Sequence, residues 1–312
     1  MLISILAGAS SHARLCLIAG LAAGLLLPGV AAVLVPWLPQ MVAGLLTITA
    51  LRIGHRAALG AVGDLRWGLA SVAILQMALP LSAMGLLTFF GLQDTPAALA
   101  IVLTSAAPAI TGSVNLALIL GLDGGRMMQI LVLGTAAFPL TVLPVLAVLP
   151  QAGEPRLVVG AALRLLLVIV LATGAGFALR ARFFPRPTPR QTQALDGASV
   201  LAFSFIVVGL MAALNPALRS DPAGVLHWAL LAFAISYLLQ LVTLLGLRRT
   251  GLRQLAGPLA LGAGNRNIAI FLVALPPEVL VPLMVFIGCW QLPMYLTPML
   301  LPQLYRWALR DD

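Results

Sequence analysis

The chain has 312 residues, of which 61% are hydrophobic and only 9% charged, with a net charge of +9. Soluble domains carry about 25% charged residues, so a water-soluble fold of this length, unable to cover so much apolar surface, is excluded. Every basic residue is Arg, and the Arg residues sit in short separated clusters, which argues for membrane topology signals and against a nucleic-acid surface.

A membrane-crossing helix needs about 20 apolar residues. Arg14 followed by an apolar run to Ala31 and Ala32 has the outline of a signal peptide, with cleavage there as an alternative. The run 15–35 is long enough to span, so it is read as the first helix. The expected spans are 14–34, 36–54, 66–91, 95–120, 126–149, 157–180, 196–214, 224–247, 254–275 and 278–305. The fold class is therefore all-α: a polytopic membrane protein of about ten helices.

Alternate loops hold the arginines. Arg52, Arg56 and Arg66 follow the second span, Arg126 the fourth, Arg180 to Arg190 the sixth, and Arg248 to Arg253 the eighth. The opposite loops hold only Arg156 and Arg219. This predicts an integral protein, of the bacterial inner membrane, with both termini inside. The sixth loop, FFPRPTPRQTQ from Phe183, is expected to be an extended linker. A division near 151–155 gives two halves, 1–152 and 153–312. Five helices is an odd number, so similar halves would be inverted relative to each other, as in many secondary transporters.

Two spans are interrupted at matching places, the fourth of each half. One carries Pro108, Thr111, Gly112, Ser113 and Asn115; the other carries Gly262, Gly264, Asn265, Arg266 and Asn267. Matched interruptions point to a transporter binding site; the alternative is two kinks with polar packing between helices. Arg266 stands near mid-span, where a charge is costly. The nine acidic residues, Asp196 and Glu154 among them, are assigned to loops, helix ends or the tail. Arg266 must then meet backbone carbonyls, amide side chains, water or an anionic ligand, as a substrate-facing cation or as a structural charge at the helix crossing. No Asp, Glu or His is placed at mid-span, so proton coupling has no evident carrier. Sodium needs oxygen ligands but not strictly a carboxylate, so sodium coupling stays open. No other cofactor is expected.

Gln76 and Gln129 are polar residues within the third and fifth spans, either ligands or glue between helices. The five Trp residues mostly flank spans and read as interfacial anchors. Cys16 and Cys289 form no disulfide or metal pattern.

Several segments together resemble the bile acid:sodium symporter family: LQMALPLSAMGLL around Gln76, SAAPAITGSVNLALILGLD at 105–123, TVLPVL at 141–146 and GAGNRNIAI at 262–270. The resemblance implies ten helices in two inverted repeats, with broken fourth and ninth helices crossing in a core. A panel of the first, second, sixth and seventh helices would rock against that core. It places substrate at Thr111, Ser113, Asn115, Asn265, Arg266 and Asn267, and ion-site or core polar groups at Gln76, Gln129, Gly262 and Gly264. The chain departs from the family where it matters for sodium: Gly262 stands in place of a Glu, and Arg266 in place of a Gln. The expected function is a secondary transporter of a small organic anion, sodium-independent because a guanidinium takes the cation's place. A metalloid or auxin-like efflux carrier is the nearest alternative, although neither Cys lies in the fourth span. A receptor or scaffold is the alternative outside transport, and an enzyme is not expected.

Overall fold

A computed structural model describes residues 2–60, 63–152 and 155–310. Helices α1 (Leu2–Ser11) and α2 (Ala13–Leu26) lead into α3 (Pro28–Ile53) and the short α4 (His55–Gly60). Then come α5 (Leu65–Phe89), α6 (Pro96–Ala106), α7 (Ser113–Ile119) and α8 (Gly124–Ala147). The rest comprises α9 (Pro155–Phe183), α10 (Pro189–Ser220), α11 (Pro222–Arg248), α12 (Arg253–Gly264), α13 (Pro277–Leu300) and α14 (Pro302–Leu309). Among the described residues there is no strand, only an isolated antiparallel bridge between Ala109 and Arg266.

Seven of these helices (α3, α5, α8, α9, α10, α11 and α13) are long and apolar enough to cross a membrane. The shortest has 24 residues, about 36 Å at 1.5 Å per residue, against a hydrocarbon core of about 30 Å. Helices α1 and α2 meet at 87° and would make an eighth span if counted together. This is the architecture of a polytopic α-helical membrane protein.

Caps written in the sequence start many of these helices. Asp123 accepts from Gly125 N and Arg126 N at the start of α8, and Asp221 from Gly224 N at the start of α11. Thr95 caps α6 ahead of Pro96, and Thr188 caps α10 ahead of Pro189. Pro at the first helical position has no amide to leave unpaired.

Three expectations need correction. The first break falls at Leu27, not near Val35, because Pro28 opens the next helix while Pro36 is absorbed in a 3-10 turn, Val35–Trp37, within it. The supposed linker after Phe183 is mostly helix. Thr188 and Gln191 form a capping box, with Gln191 Oε1 accepting from Thr188 N at 2.8 Å, so α10 begins at Pro189. That start places Asp196 about two turns inside a helix rather than at the first residue of a span. Arg52 likewise belongs to the last turn of α3. The side chain of Arg14, and Glu154, Asp311 and Asp312, lie outside the described residues, as do residues 153 and 154 at the expected division between halves.

Small residues let the helices approach closely. A Cβ on Gly197 would strike the backbone of Leu6, and one on Gly176 would strike the backbone of Thr47, which seats α10 on α1 and α9 on α3. Outside the apolar layer, Asp64 caps α5 and pairs with Arg126 at 2.7 Å. The hydrogen bond from Arg126 holds its carboxyl below the ordinary 3.8. A lowered folded-state value means that the pair stabilises the fold above 3.8 and that this contribution fades as pH falls below it. The wild type should therefore melt slightly above Asp64→Asn at neutral pH. The two melting curves should converge in acid; a constant offset down to pH ~3 would refute the assignment.

Candidate functional site: a helix crossing and the adjoining cavity

The span expected at 95–120 is two helices, α6 and α7, separated by 107–112. The span expected at 254–275 is α12 followed, after 265–267, by a 3-10 turn at Ile268–Val273. The two gaps lie side by side and antiparallel. Ile110 N donates to Asn265 O at 2.9 Å, and Asn267 N donates to Pro108 O at 2.8 Å. Backbone freed by each break is thus satisfied by the other, as an apolar surrounding demands.

Three further carbonyls accept from the Arg266 side chain. Its Nε donates to Ala263 O at 3.0 Å, Nη1 to Ala107 O at 2.9 Å and Nη2 to Leu75 O at 2.9 Å. Each acceptor is an orphan for a separate reason. Ala263 O would accept Asn267 N in a continuous helix, but that amide goes to Pro108. Ala107 O lies just past the end of α6. Leu75 lies in a π-turn, Ile74–Ala78, where Leu79 N already bonds to Ile74 O five residues back. Its own partner would be residue 80, which is Pro80 and has no N–H. Arg266 is only 1% exposed, and the indole of Trp290 donates to its carbonyl at 2.9 Å. Trp290 is therefore a buried strut of the crossing, not the interfacial anchor expected.

A second polar layer backs α12. Ser236 Oγ donates to Gly264 O at 2.8 Å, Gln240 Nε2 to Ser236 O at 3.2 Å and the Tyr305 hydroxyl to Gln240 Oε1 at 2.8 Å. Thr297 Oγ1 reaches Asn265 Oδ1 at 3.4 Å. None of Ser236, Gln240, Thr297 or Tyr305 was anticipated. Gln240, an amide in the apolar run YLLQLV, carried the usable signal.

Beside the crossing lies a cavity of about 280 Å³, enclosed by α2, α3, α10, α13 and the 110–119 stretch. Leucine, isoleucine, methionine and Phe203 make most of its wall. Among the described residues its only charged side chains are Arg52 and Asp196, which form an ion pair through Arg52 Nε and Asp196 Oδ1. Arg52 Nη2 also donates to Asn115 Oδ1 at 2.7 Å.

Of the residues singled out in the two interruptions, the cavity takes Thr111, Gly112 and Asn115. Asn265, Arg266 and Asn267 stand in the crossing and do not line it. Ser113 is fully buried and its hydroxyl has no partner among the described residues. Gln76 accepts from the Thr141 hydroxyl at 2.8 Å, and Gln129 accepts from Arg126 at 3.1 Å, well apart from the cavity. Gly262 packs toward Ile130, Leu75 and Met127, and Gly264 lies hard against Ser236 and Gln240. The charges on the cavity wall are Arg52, which the arginine pattern places in a loop, and Asp196. No protein-family model matches the chain, and no curated protein matches it.

Proposed function

We propose that the chain is a secondary transporter of a small organic anion, working by alternating access. The observation that carries this reading is the antiparallel crossing of two interrupted helices beside an apolar cavity with one guanidinium in its wall. Interrupted helices that meet within a bundle are where transporters place their sites. Counting the bent pair α1–α2, the seven long helices and the two interrupted stretches as one crossing each gives ten. That count suits two inverted five-helix halves, 1–152 and 153–312, and resembles the bile acid:sodium symporter family. With both termini inside a bacterial inner membrane, the cavity, near the end of α3 and the start of α10, faces the cytoplasm.

Arg266 bears on coupling. Its guanidinium satisfies three carbonyls that an inorganic cation could otherwise gather. A resident cation there makes a bound sodium ion unnecessary, so transport is sodium-independent. Purified protein in liposomes should take up organic anions saturably and equally well in sodium and in choline medium. Absence of saturable uptake across a broad panel of anions would sink the transport reading; a steep rise with sodium would sink sodium independence alone. The pair Arg266→Gln with Gly262→Glu, which restores family residue types, should introduce a sodium requirement.

A further inference from the structure

The Arg52–Asp196 pair has a feature that a purely structural ion pair lacks. It lies on a cavity wall, with the two side chains 13% and 26% exposed. Arg52 spends Nε on Asp196 and Nη2 on Asn115, while Nη1 bonds to no described residue. One amino group of a fixed guanidinium is thus left without a described partner in the wall of a mostly apolar space.

Resting on the transporter reading above, we infer that Arg52 is the receptor for the substrate's anionic group and that Asp196 is its resident competitor. The cavity then exchanges one anion for another. Asp196 holds Arg52 when the cavity is empty. An entering carboxylate or sulfonate takes its place on the guanidinium, and a proton taken up by Asp196 keeps the charge of the wall unchanged. Asn115 is neutral and keeps the guanidinium plane fixed throughout.

The balance is simple. One anion enters, one proton from the same side moves onto an Asp196 carboxyl oxygen, and no net charge is added. On the other side the anion leaves, the proton returns to water and the Arg52–Asp196 pair re-forms. The device is an electroneutral anion–proton symport.

The surroundings of Asp196 leave Arg52 as its one charged partner among the described side chains. Helix α1 brings no acidic or basic side chain among its described residues, and His12 beyond it turns to Gly8 O. From α2 comes Cys16, whose thiol points to Ala9 O. From α13 comes Tyr295, which lines the same cavity. Arg180 of α9 approaches only the carbonyls of Leu51 and Arg52. On α10 itself, Arg190 bonds to Ser4 Oγ.

Naphthalene-2-sulfonate is a suitable probe, because it stays ionised at every usable pH and any proton taken up must go to the protein. In weakly buffered detergent solution, the wild type should bind it with uptake of about one proton per anion. Asp196→Asn should bind it with no proton uptake and with pH-independent affinity. Arg52→Gln should lose at least about tenfold in affinity. The double variant Arg52→Gln/Asp196→Asn, which leaves no unpaired charge, should melt like the wild type and fail to bind. Absence of binding by the wild type, unchanged affinity in Arg52→Gln, binding without proton uptake, or proton uptake persisting in Asp196→Asn would each overturn the exchange. Transport is read separately in vesicles: binding with proton uptake but no movement of the sulfonate would leave the exchange standing and remove the transporter reading.

Discussion

Arg266→Met should leave a protein that is recovered poorly from the membrane and melts far below the wild type. Methionine fills much of the arginine's volume, so the loss is chiefly one of partners. Carbonyls of Leu75, Ala107 and Ala263 would be stranded in a site that is 1% exposed. A buried polar group left without a partner costs about 1–3 kcal/mol, and three of them approach the whole stability of a typical domain. Arg266→Lys tests whether charge or shape matters. An ammonium carries three donors on one atom and cannot copy the planar fork, so it should recover only part of the loss. Melting temperatures in detergent, read by size-exclusion recovery after heating, separate the three proteins. An Arg266→Met variant as stable as the wild type would mean that the crossing is held elsewhere.

Gly264→Ala carries the second large effect. A methyl group there would collide with the carbonyl of Ser236 and the side chain of Gln240, so α11 and α12 must separate. Overpacking of this kind costs about 1–3 kcal/mol, more when backbone is the obstacle. It would also pull Ser236 from Gly264 O and loosen the Gln240–Tyr305 contact. Gly246→Ala, in the same helix α11, is the control: a Cβ there meets nothing within 4 Å, and Ala is favoured over Gly in a helix by about 1 kcal/mol. The first variant should melt lower than the wild type and the second no lower. A Gly264→Ala protein as stable as the wild type would show that α11 shifts freely.

The apolar runs made the helices legible, because a crossing helix must be long and continuously apolar and this chain has few charges to confuse the pattern. Pro108 and the glycines marked both interruptions, since each residue type weakens a helix by a known route. That Arg266 needed partners other than a carboxylate followed from the lack of a nearby one, which left backbone carbonyls, amide side chains, water and an anionic ligand open. Which carbonyls it found did not follow. Leu75 O is available only through a π-turn ended by Pro80, and the turn leaves no trace in composition. The cavity charges were hidden for a different reason. Arg52 and Asp196 sit near helix ends, where charge is commonplace, and only the Thr188–Gln191 capping box shows that Asp196 is inside α10. Their meeting joins residues 144 positions apart, a separation that local patterning does not bridge.

The carbonyl cage around Arg266 also differs from an ion site in how it responds to the medium. An ion that holds two segments together stabilises them in proportion to the logarithm of its concentration. A guanidinium on the chain itself has a fixed effective concentration, set by a tether of a few bonds and undiminished by dilution or dialysis. The joint between α6 and α12 is therefore always loaded. Chelation, desalting or a change of salt leaves it closed, and whatever motion the surrounding helices make, they make around a junction that does not dissociate.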